Sequence, residues 1–197
     1  MNRNIIVVFP TGAGGNHLAN MLSTATGFHT RASITDYHNI KINNNVHKGL
    51  NLRVDWLRSG EHFNRSNVLC GHLGELIWFS RDDVFNKFKN IQFVVIGFPT
   101  DTKTIEFKRV CKTISMSGNL GVYHIAELET LYSPSILESI TGINDFVKIK
   151  PSELFNADVS NVLSRISYDF NLDLDTELCK RMHSIWYNHI ITKIKNK

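Results

Sequence analysis

Residues 7–22 read VVFPTGAGGNHLANML. The run Ile5–Phe9 is apolar on both faces, as a buried parallel strand requires. It enters a loop with glycines at Gly12, Gly14 and Gly15. Leu18, Met21, Leu22 and Ala25 then fall at i, i+3, i+4 and i+7, which predicts an amphipathic helix ended by Thr26–Gly27. A strand, a glycine loop and a helix in this order can cradle an anion. Glycine lets backbone N–H groups turn inward without a Cβ in the way, and the helix N-terminus carries partial positive charge.

Against the nucleotide-binding pattern G-x-x-x-x-G-K-[ST], Pro10 stands at the first glycine and Gly15 at the second. Asn16 stands at the lysine and His17 at the hydroxyl residue. The first change removes the point charge for the terminal phosphates, and the second the usual magnesium ligand. Hydrolysis of a nucleoside triphosphate is not expected from this loop. Anion binding by backbone amides is, with Asn16 as an uncharged donor and His17 as a switchable charge.

Further strands are expected at Asn67–Cys70, Ile91–Phe98 and Phe146–Ile149. Helices are expected near Ser80, after Asp101 as its cap, from Pro134, and over about 158–170 and 175–195. In the last of these, Trp186 is expected inward with His183 and His189 at the rim. Residues 28–66 carry little pattern, although Arg31, Lys41 and Lys48 there are candidate donors. Lys108 and Arg109 read as solvated charges. Strands alternating with helices predict one α/β domain over residues 1–197, with a mostly parallel sheet flanked by helices. Ligands of such sheets bind at the carboxyl ends of strands. The segments 10–17, 71–75 and 97–104 are therefore expected to converge.

The bulk numbers fit this picture. The chain has 197 residues, 42% hydrophobic and 20% charged, which predicts an ordinary globular core. The net charge of +4 suits anionic ligands, but the basic residues are scattered, so a nucleic-acid partner is not expected. Cys70, Cys111 and Cys179 are odd in number and widely spaced, as in a reduced chain with core cysteines. The histidines and cysteines lack metal-site spacing, so no metal is expected. No apolar stretch has the ~20 residues of a membrane span. MNRN leads straight into the first strand, so no signal peptide is read and a cytoplasmic protein is expected.

Three strand ends, taken together, resemble the sulfotransferases that use 3′-phosphoadenosine 5′-phosphosulfate. FPTGAGGNHLANML is similar to their loop Y-P-K-S-G-T-T-W-L, and LCGHLGEL to K-T-H-L-P, with His72 at the family's catalytic base. VVIGFPTDTKTI is similar to R-x-P-x-D-x-x-x-S through Pro99 and Asp101. The chain departs where Gly97 stands at the arginine and Ile105 at the serine, and it lacks the late R-K-G-x-x-G segment. The resemblance implies a three-layer P-loop fold. It implies donor binding by Thr11, Gly12, Ala13, Gly14, Gly15, Asn16, His17, Asp101 and Lys103, with His72 as base and a small-molecule or glycan-type acceptor. The alternatives are a P-loop kinase acting on a nucleotide or metabolite, and a non-catalytic binding protein of the same fold.

Overall fold

A computed structural model describes residues 2–10, 12–28, 65–73, 76, 88, 90–116, 130 and 132–195. Thr11, Arg31, Lys41, Lys48 and the helix expected near Ser80 lie outside the described residues. Four strands, β1 (Asn4–Val8), β2 (Asn67–Gly71), β3 (Ile91–Ile96) and β4 (Phe146–Ile149), form one sheet in the order β2-β1-β3-β4. All three pairings are parallel, with Val7 opposite Cys70 and Val94, and Val94 opposite Val147.

The helices are α1 (Gly15–Thr26), α2 (Ile105–Met116), α3 (Pro134–Thr141), α4 (Pro151–Leu154), α5 (Ser160–Phe170) and α6 (Thr176–Lys195). Side-chain alternation along the strands splits the core in two. Ile5, Val7, Val94 and Ile96 pack with residues of α1, α2, α5 and α6 on one face. Ile6, Val8, Phe93 and Val95 pack with Leu137 of α3 and Tyr132 on the other. The chain is thus an α/β protein whose parallel sheet is flanked by helices. Among the described residues no helix is long and apolar enough to cross a membrane.

Local chemistry explains the boundaries. Gly12 and Gly14 adopt φ of 91° and 87°, so the chain turns sharply between β1 and α1. α2 begins at Ile105, and its cap is Thr104 rather than Asp101: Thr104 Oγ1 accepts from Phe107 N at 3.3 Å. Asp101 instead accepts from Lys103 N at 2.9 Å in an Asx turn before the helix. β3 ends at Ile96, ahead of Pro99, because Gly97 N makes the last sheet bond, to Ile149 O. Cys70 and Cys179 are buried, and Cys111 is half-buried. Burial, with Asp175 nearby, pushes the Cys179 thiol up to about 12, as an unreactive core group.

Two glycines differ in what they require. A Cβ on Gly15 would overlap the Phe9 ring, whereas one on Gly27, at φ 68°, meets nothing. Gly15→Ala is expected to cost about 1–3 kcal/mol through overpacking. Gly27→Ala should cost only about 1 kcal/mol, from left-handed backbone strain. Urea denaturation of the two variants measures the difference.

Candidate functional site

The strand order brings the carboxyl ends of β2, β1 and β3 side by side, and with them Phe9, Pro10, Gly12–Gly14, His72 and the turn 97–104. The centre of this edge is Phe9. Its ring lies under Gly15 and meets the His72 ring edge-on, with centroids 4.8 Å apart. His72 Nδ1 is 2.9 Å from Phe9 O. A carbonyl only accepts, so Nδ1 carries the hydrogen, and in the neutral ring Nε2 is the basic nitrogen. His72 is half-buried, one residue past β2.

The loop itself is tightly built. Pro10 O accepts from Ala13 N at 3.0 Å. α1 has no side-chain cap at Gly14 and no acidic residue in its first turn. Asn16, at the position of the missing lysine, turns toward β2, where Oδ1 accepts from the Cys70 thiol at 3.1 Å. His17, at the hydroxyl position, is buried and stacks on Trp186 of α6, with centroids 4.4 Å apart and planes within 3°.

His17 Nε2 also lies 3.3 Å from His183 Nδ1, and His183 Nε2 lies 2.8 Å from Asn156 O. The carbonyl at the end fixes every proton when both rings are neutral. Asn156 O accepts from His183 Nε2–H, so His183 Nδ1 must accept from His17 Nε2–H. Burial holds His17 well below its ordinary 6.5, with His183 and Arg109 adding to the effect. Burial also lowers His183. His17 is therefore not a charge that switches near neutrality. Trp186 is half-buried and packs against the core as expected, and His189 is half-buried, but His183 is fully buried rather than at the rim.

Arg109 is a cation at the glycine loop that the sequence does not announce. It is not a solvated charge. Its Nε donates to Gly12 O at 3.0 Å, and its guanidinium sits 5.7 Å from the Phe155 ring centroid and 5.9 Å from that of Trp186. The one available signal is its place beside the buried stripe Phe107–Val110. Asp101 and Lys103 lie exposed in the turn after β3. Beside that turn, at the ends of β3 and β4, is a cavity of about 370 Å³. Its lining includes Gly97, Glu106, Tyr132, Lys148, Lys150 and Ser152.

Comparison with protein-family models and with curated protein sequences gives no match.

The histidine pair predicts a pH dependence of stability. Unfolded imidazoles bind protons around pH 6.5, whereas the buried native rings stay neutral to lower pH. The unfolded state thus holds more protons, and stability falls as pH drops below 6.5. Denaturant titrations at pH 7.5 and 5.5 should show this loss, and His183→Gln should reduce it. Arg109→Met should raise the His17 pKa, since it removes one depressing charge. Imidazole NMR titration reads that shift.

Proposed function

We propose that the chain is a sulfotransferase-like transferase with a P-loop type of fold. It binds 3′-phosphoadenosine 5′-phosphosulfate with the 5′-phosphosulfate at Gly12–His17 and passes the sulfuryl group to a hydroxyl or amine. The observation that carries this reading is the seating of His72. Its Nδ1 is engaged by the carbonyl of Phe9, the residue that opens the glycine loop. The base and the anion cradle therefore meet at the adjacent ends of β2 and β1, with Nε2 as the basic atom.

The fit to an anionic donor rests on the loop. The first turn of α1 has neither a capping side chain nor an acid, and Arg109 adds positive charge at Gly12. These features favour a negative group at the helix N-terminus. In the proposed step, the acceptor oxygen or nitrogen attacks sulfur and its proton passes to His72 Nε2. The bond from sulfur to the phosphate oxygen breaks, and the charge that develops there is stabilised by backbone N–H groups and Arg109. Adenosine 3′,5′-bisphosphate leaves.

The kinase alternative is less well supported. Asn16 and His17 replace its lysine and hydroxyl, and both are engaged inside the protein, by Cys70 and by Trp186 with His183.

Calorimetry with adenosine 3′,5′-bisphosphate is expected to show binding that Arg109→Met weakens. With the donor and an accepted hydroxyl or amine, His72→Asn should lower kcat by about 10²–10⁴-fold and leave donor affinity near its original value. Absence of bisphosphate binding, or full activity in His72→Asn, overturns the reading. Binding of ATP–magnesium instead favours the kinase. Failure of both nucleotides favours a non-catalytic binding protein.

A further inference from the structure

The cavity at the ends of β3 and β4 contains a group with no internal explanation. Glu106, in the first turn of α2, is 8% exposed, and its carboxylate has no hydrogen bond or ion pair among the described residues. A buried carboxylate is costly unless something compensates it, and glutamate is seldom buried this far without a partner. Thr104 does not serve, because its hydroxyl donates to Asp101 O and accepts from Phe107 N. Glu106 nonetheless lines the cavity. A ligand group that donates hydrogen bonds or carries positive charge would supply the missing partner.

The cavity also carries the opposite sign. Lys148 and Lys150 flank Ile149 at the end of β4 and line the same space. The stem of Lys148 runs past Gly97, its Cε 3.8 Å from where a Cβ would stand. Lys150 lies beside Glu153 and helps lower that carboxyl's pKa, but neither lysine pairs with Glu106. Asp101, the other acid of the lining, is exposed and accepts the Lys103 amide. The lining thus holds a carboxylate that has no protein partner among the described residues and opens to the cavity, together with two exposed lysines, in a volume suited to a small metabolite.

We infer that this cavity binds a small zwitterion, its amine on Glu106 and its carboxylate or phosphate on Lys148 and Lys150. The cavity includes Asp101 of the turn to which donor binding is also assigned, but it takes in neither the glycine loop nor His72. His72 follows β2, at the far edge of the sheet from β4.

The test uses the full chain and calorimetry with four probes. O-phosphoethanolamine and β-alanine carry both charges, glycerol 3-phosphate lacks the amine, and ethanolamine lacks the anion. At least one zwitterion is expected to bind tenfold or more tightly than both single-charge probes, and the better of the two identifies the anionic group. Glu106→Gln and Lys148→Met should each weaken that binding at least tenfold, and Lys112→Met, exposed on α2, should not. Equal binding of all four probes, no binding, or unchanged affinity in Glu106→Gln overturns the assignment. If Glu106→Gln does not fold, Lys148→Met, at an exposed position, decides the matter.

Discussion

The contact between Gly15 and the Phe9 ring governs the geometry of this end of the sheet. The ring occupies the volume that any side chain at position 15 would need. It can do so because β1 ends at Val8 and the chain then bends through Pro10 to the positive-φ residues Gly12 and Gly14. The same residue supplies the edge contact and the carbonyl that orient His72. One aromatic side chain thereby sets both the first turn of α1 and the ring at the end of β2. Neither could shift far without the other.

Electrostatics on the opposite side of the loop follow from burial. His17 and His183 form a directional pair that ends on the Asn156 carbonyl, and the low polarity around them disfavours protonation. The helix N-terminus and Arg109 disfavour it further. The result is a region with fixed positive potential from backbone and guanidinium, while its imidazoles stay uncharged. An anion approaching Gly12–Asn16 would meet a field that does not depend on the titration of His17.

The strands and most helices were legible because their signals are local. An all-apolar run followed by glycines marked β1 and α1, and the periodic stripe of Val162, Leu163, Ile166 and Phe170 marked α5. The cap of α2 was misjudged because Asp101 and Thr104 are both good cap residues, and only the backbone distinguishes an Asx turn from a first helical turn. The loop's partners were not legible for a different reason. His17 and His183 are 166 positions apart, and Arg109 and Gly12 are 97 apart. The stripe Phe107–Val110 puts Arg109 beside the core, but nothing local names Gly12 as its partner. Glu106 did leave a trace, as a charge next to Phe107 and four residues before Val110, on a face otherwise given to the core.

The packing of α6 on α1 also bears on how the chain is made. Trp186 and Met182 meet residues drawn from the first helix, and Arg3 holds the carbonyls of Phe170 and Asn171 at the end of α5. During synthesis the glycine loop emerges long before these partners exist. Until α6 has left the ribosome, the apolar face of α1 lacks its cover and His17 lacks its stacking ring. Such long-range closure is slow relative to local helix formation. The nascent chain therefore passes through a stage in which α1 lacks its cover, and the loop takes its final surroundings only after α6 has been made and has docked.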